Sequence, residues 1–148
     1  MNFKRFVFLI LAALALSACA PKAGGAQIRV EDAWGRPSPA AASAGAFYMT
    51  IYNDGSEADT LLSATSPACM MAELHESYMM DNGAMGMRPV EGGSIEIPAG
   101  GSAELKVGGL HVMCMDKMAD FKTGDTYQIT LKFEKAGEIV VDVEIKDQ

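Results

Sequence analysis

The chain contains two histidines, His75 and His111, and each sits inside a cluster of methionines. The first window reads Met70-Met71-Ala72-Glu73-Leu74-His75-Glu76-Ser77-Tyr78-Met79-Met80, followed by Met85-Gly86-Met87. The second reads His111-Val112-Met113-Cys114-Met115, followed by Met118. Nine of the eleven methionines fall in these windows. Imidazole and thioether together suit a soft, monovalent metal, and Cu(I) is the obvious candidate. Zinc fits poorly, because structural zinc sites draw on Cys, His and carboxylate. Calcium and magnesium want clustered oxygens, and no such loop is present. Thiolates bind copper better than thioethers, but outside the cytoplasm they oxidise to disulfides. A thioether stays unpaired and needs no deprotonation, so acid competes with such a site mainly through its histidines.

Strand parity narrows the ligand set. Side chains at i and i+2 of a strand share a face. His111 and Met113 then point the same way, with Val112 on the other side, and Met85 and Met87 are related in the same manner. If His75 lies on the partner strand of a hairpin, its ring approaches Met87. The candidate metal site is His75, Met87, His111 and Met113. Methionine is also a flexible core filler, so Met70, Met71, Met79, Met80 and Met118 are assigned to core or rim. Met85 and Met115 are left open.

The elements that must position these residues read as short strands. Apolar and polar residues alternate over Ile28 to Ala33, and Ala46 to Tyr52 is rich in β-formers before the turn Asn53-Asp54-Gly55-Ser56. Asp59 to Ala64 is another short strand. Asp81-Asn82-Gly83 is a hairpin signal, which favours strands at Met71–Met80 and Ala84–Val90. Alternation continues through Ser94 to Pro98, Ala103 to Val107 (Leu105 and Val107 on one face) and Leu110 to Met115. It is strongest in Thr126 to Phe133 and Ile139 to Ile145. With eight to ten strands and no amphipathic helix, the fold class is all-β, an antiparallel β-sandwich of Greek-key type with a β-hairpin extension.

Residues 1–18 form a signal segment: basic Lys4 and Arg5, the apolar run Phe6 to Leu16, then small residues. Leu16-Ser17-Ala18-Cys19 resembles a bacterial lipobox, which implies cleavage before Cys19 and a lipid on its thiol. A signal peptide cut nearby without lipidation is the alternative. Residues 19–27 are a flexible tether, and 28–148 a single domain. The expected location is the periplasm, with membrane contact through the N-terminal lipid only. Without residues 1–18 the charge is 10 basic minus 19 acidic, or −9, which argues against nucleic acid as a partner. No Ser-His-Asp set, paired-carboxylate motif or phosphate loop suggests an enzyme. Cys69 and Cys114 each lie a few residues from a histidine. In an exported chain they are a disulfide pair, two buried thiols or metal ligands.

These residues resemble the periplasmic Cu(I) chaperones called PCuAC (DUF461-type). That family's motif is a His, a Met twelve residues on, and a later His-x-Met pair. His75 and Met87 match the first spacing, and His111-Val112-Met113 matches the pair. Met87-Arg88-Pro89-Val90, Ile97-Pro98-Ala99-Gly100-Gly101 and Gly108-Gly109-Leu110-His111 are similar to its connecting sequence. Asp32-Ala33-Trp34 and Ala46-Phe47-Tyr48-Met49 are similar to its N-terminal strands, so the likeness spans Val30 to Phe133. Two features depart from the pattern. Glu76 stands where the family often has Met, and the 23 residues between Met87 and His111 slightly exceed the usual gap. The surplus fits the Glu91–Gly93 turn. The resemblance implies a cupredoxin-like sandwich, one Cu(I) at an exposed site, and a monomer. It also implies delivery to a cytochrome oxidase subunit of the haem-copper type or to a thioredoxin-like assembly factor. It assigns Cys69 and Cys114 no role. Two other readings stand beside it. One is a redox cupredoxin with Cys114 as its thiolate, although in familiar cupredoxins the Cys precedes its neighbouring His. The other is a metal-free scaffold lipoprotein.

Overall fold

A computed structural model describes residues 24–148, so the signal segment 1–18, Cys19 and most of the tether lie outside the described residues. Ten strands follow in order: β1 (Ile28–Gly35), β2 (Gly45–Asn53), β3 (Asp59–Thr65), β4 (Cys69–Met79), β5 (Met85–Pro89), β6 (Ile95–Ile97), β7 (Ser102–Leu105), β8 (Leu110–Lys117), β9 (Thr126–Phe133) and β10 (Glu138–Ile145). A single 3-10 turn, Glu91–Gly93, interrupts them.

The alternating residues bury one face of each strand. Ile129, Leu131 and Phe133 of β9 face Val143 and Ile145 of β10 within one core, together with Phe47, Met49 and Ile51 of β2. Hydrogen bonding links all ten strands in the order β5-β4-β8-β7-β2-β1-β10-β9-β3-β6, with β8 also pairing β2. This continuous sheet curls over: β3 packs on β4, and β6 on β7, so that its two ends enclose the core as the layers of a sandwich. The all-β, cupredoxin-like expectation therefore holds. It needs one correction: the sheet is mixed, because β1 pairs β10 in parallel and β7 meets β8 in parallel. Local alternation reports burial but carries no strand direction, so the sequence offered no sign of this.

Two local details bear on the site. The predicted hairpin exists: β4 and β5 pair from Met79↔Met85 to His75↔Pro89. Asp81-Asn82-Gly83 closes it, with Gly83 at φ 81 and the Asn82 side chain accepting the Ala84 N–H at 3.0 Å. That is a left-handed position suited to glycine. No residue of β5 is buried, so the hairpin extends from the core as an arm. The pairing of Leu105 with Val107 fails. The chain reverses at Lys106, whose N–H reaches Leu110 C=O at 2.8 Å, which leaves Val107 exposed.

Buried polar groups elsewhere are satisfied. Asn53, fully buried, donates to Glu57 C=O and accepts from Gln27 N–H and Gly55 N–H. Burial raises the pKa of Asp59, but backbone N–H donors from Lys135, Ala136 and Thr60 outweigh it and hold the carboxylate below its ordinary range.

Candidate metal site

The β4–β8 ladder places His75 directly opposite His111. Residues opposed in an antiparallel pair share a face. Leu74 and Val112 turn into the core, and the two histidines turn to the other side of the sheet. The next rung pairs Glu73 with Met113, and across β5 Ser77 pairs Met87. Met87 and Met113 are thus diagonal neighbours of the histidine pair, on its face. Both line a single cleft of about 180 Å3 with Arg36, Ser38 and Tyr48. The register thus puts all four sequence-predicted ligands on one face of three strands, while the cleft itself is lined by the two methionines and not by the histidines.

The histidine environments are specific. The rings meet edge to face with centroids 5.9 Å apart. His75 is 8% exposed and His111 1%. His111 Nδ1–H donates to Gly109 C=O at 3.0 Å, and His75 Nε2–H donates to Glu73 Oε2 at 2.9 Å. The remaining nitrogens, His75 Nδ1 and His111 Nε2, are buried without a hydrogen-bond partner. A buried polar atom left unpaired costs stability unless something binds it. In the neutral imidazole the carbonyl or carboxylate acceptor leaves the lone pair on the other nitrogen, as outer-sphere partners of metal-bound histidines do. Among the described residues no three His, Cys, Asp or Glu side chains gather as a metal cluster, and the soft donors that the register sets beside the histidine pair are the thioethers of Met87 and Met113.

Burial, chiefly, pushes the His111 pKa below its ordinary value of 6.5; the Gly109 carbonyl opposes this and nearby His75 adds to it. With the folded value below the unfolded one, the unfolded chain takes up this proton first as the pH drops. The contribution of neutral His111 to stability is intact above about pH 6.5 and is lost on acidification below it. In the metal-free protein, the His111 ring resonances in an NMR titration should therefore move with a midpoint below that value. A midpoint at or above it would contradict the buried, neutral assignment.

Cys69 and Cys114 form a disulfide with Cα atoms 5.4 Å apart. It joins the start of β4 to the middle of β8, the two strands that carry the histidines. The free-thiol and ligand readings are thereby overturned. Cys114 also has no thiolate to offer a blue-copper centre in this state.

Met49 fills the core, whereas Met70, Met71, Met79 and Met118, assigned to core or rim, are exposed and so belong to the rim. Sequence reasoning also missed four contributors. Glu73 and Gly109 were legible in principle, since each lies two residues before a histidine on a strand or its approach. Tyr48 and Arg36 were not, because only the β2–β8 pairing brings them close. The Tyr48 ring lies 6.3 Å from that of His111 and 4.6 Å from Trp34. Burial raises the Tyr48 pKa, while its hydrogen bond with Arg36 pulls the other way.

A profile of the family described as "Putative lipoprotein LpqE-like" matches residues 28–145. The chain belongs to the LpqE-like family. Among relatives of this LpqE-like protein is "Putative lipoprotein Lxx21020" of Leifsonia xyli subsp. xyli (strain CTCB07). It is 32% identical over 81% of this chain and 70% of its own length. Three solved structures are similar to the LpqE-like fold. The apo PCuAC domain from PmoF1 is 26% identical with a TM-score of 0.69, covering 82% of this chain and 94% of that one. The copper-bound PCuAC domain from PmoF2, 24% identical with a TM-score of 0.67, covers 82% and 93% and bears on the fold alone. The solution structure of CuI-DR1885 from Deinococcus radiodurans is 30% identical with a TM-score of 0.57, covering 77% and 74%. The PCuAC resemblance read from the motif residues thus extends to the whole fold.

Proposed function

We propose that this protein is an exported copper(I) chaperone that binds one Cu(I) through His75, Met87, His111 and Met113. The observation that carries the proposal is the pair of buried, unpartnered imidazole nitrogens beside two thioethers on one face. The likeness to a Cu(I)-bound relative at 30% identity supports it. Two neutral nitrogens and two neutral sulfurs add no negative charge, which favours the monovalent over the divalent ion. The exposure of Met87, at 57%, suits ligand exchange with an incoming acceptor.

The export and anchoring parts of the proposal rest on the lipoprotein relatives and the N-terminal sequence, and the acceptor and monomer parts on the PCuAC resemblance. Residues 1–18 act as a lipoprotein-type signal and Cys19 carries the lipid. Residues 19–27 tether the 28–148 domain at the periplasmic face of a membrane. The protein acts as a monomer and passes copper to a haem-copper oxidase copper centre, to its thioredoxin-like assembly factor, or to a related acceptor. No reaction is catalysed. The test is transfer. Cu(I)-loaded protein mixed anaerobically with a purified, metal-free oxidase copper domain should lose its copper to that domain within minutes. Copper retained by the donor throughout, with the acceptor competent to take free Cu(I), would overturn delivery and leave storage.

A further inference from the structure

The thioethers do not stop at the proposed site. Met79 and Met85 are directly opposed on the β4–β5 arm, one rung beyond the Ser77–Met87 pair. Met79 shares its face with Ser77 and His75, and Met85 shares its face with Met87. Met79 is 65% exposed and Met85 52%. Neither side chain belongs to the buried core. The five exposed large apolar residues on β4 and β5 are Met70, Met71, Met79, Met85 and Met87, all methionine. An arm selected only for apolar contact has no reason to avoid leucine, isoleucine and valine, whereas a soft cation requires sulfur. The opposite face of the hairpin is engaged differently. Arg88 bonds Glu76 at 2.8 Å and stacks over the Tyr78 ring at 4.7 Å. At Gly86 a Cβ would lie 2.8 Å from that same ring. The arm thus separates an ionic and aromatic face from a thioether face.

We propose that Met79 and Met85 form a second, weaker Cu(I) subsite at the hairpin end, with Met87 shared between it and the histidine pair. This rests on the copper reading above. Directly opposed strand residues have Cβ atoms roughly 5 Å apart, close enough for two long thioethers to grip one ion. Without imidazole the subsite holds copper less firmly than the main site. Copper arriving at the exposed end is passed inward by exchanging one thioether for another at Met87, and no electron or proton moves.

Anaerobic titration of the intact protein with Cu(I) against a chelating indicator tests this, with the methionine methyl groups followed by 13C NMR. Two equivalents are expected, one tight and one weaker. The second should shift the Met79 and Met85 methyl resonances after those of Met87 and Met113. The variant Met79→Leu/Met85→Leu keeps the apolar area and should retain the tight equivalent while losing the weak one. A wild-type protein with no second equivalent, or a variant that keeps it, overturns the subsite and leaves the main site standing; that is the result expected if the arm is only an apolar docking face. Loss of the tight equivalent in the wild-type protein would instead overturn the copper reading itself, whatever Met79 and Met85 do.

Discussion

Replacing His111 with alanine is expected to lower Cu(I) affinity by at least about a hundredfold, beyond the 10–100-fold typical of a group that merely supports a metal ligand. The reason is the pairing in the ladder. His111 faces His75, its Nδ1 is committed to Gly109, and its Nε2 is buried without a partner. Alanine removes that nitrogen and leaves His75 as the single imidazole. Because His111 is deeply buried, the variant also loses packing, so thermal unfolding should accompany the binding measurement. Met87→Leu avoids this difficulty. Met87 is more than half exposed and supports no core contact, so leucine should leave stability unchanged and still weaken Cu(I) binding. Glu73→Gln should fall between wild type and His111→Ala, because the amide still meets His75 Nε2 but no longer as a carboxylate. Competition against a Cu(I) chelator at fixed pH ranks the three. A His111→Ala protein that binds as well as the wild type would remove the histidine pair from the account.

Loss of the Cys69–Cys114 bridge should have the largest effect on stability. The cross-link spans 45 residues. Closing a loop of that size costs the unfolded chain entropy worth about 4 kcal/mol in the loop-closure model. For a domain of this length that corresponds to a fall in Tm on the order of 10 °C. Cys69→Ala/Cys114→Ala, or reduction of the wild-type protein, should both show it in thermal unfolding. Copper binding should weaken far less than in His111→Ala, because the backbone ladder between β4 and β8 persists without the bridge. Equal unfolding temperatures with and without the bridge would show that the sheet alone holds these strands in place.

Much of this arrangement was legible in the sequence. Period-two alternation located β9 and β10 most clearly, β-former content located β2, and the Asp81-Asn82-Gly83 turn, rather than periodicity, marked β4 and β5 as the paired strands of a hairpin. Parity then put His111 and Met113 on one face, with Val112 in the core. What stayed hidden was long-range. Nothing local revealed the parallel joins at β1–β10 and β7–β8. The contributions of Tyr48 and Arg36 depend on β2 lying beside β8, which no short-range pattern encodes. The choice between core and rim for the methionines stayed open for a different reason. A thioether reads as apolar in any hydropathy pattern, yet Met70 and Met79, which that pattern would send to the core, are exposed. The cysteine pair shows the same limit, since spacing permits a bridge, free thiols or ligands, and the meeting of β4 with β8 selects the bridge.

X-ray absorption on the protein loaded with a single equivalent of Cu(I) reads the identity of the donors. The expected result is a mixed coordination shell of imidazole nitrogen and thioether sulfur, with imidazole scattering reduced in His111→Ala and sulfur scattering reduced in Met87→Leu. A shell made only of short thiolate sulfurs, or one of nitrogen and oxygen without sulfur, would contradict it.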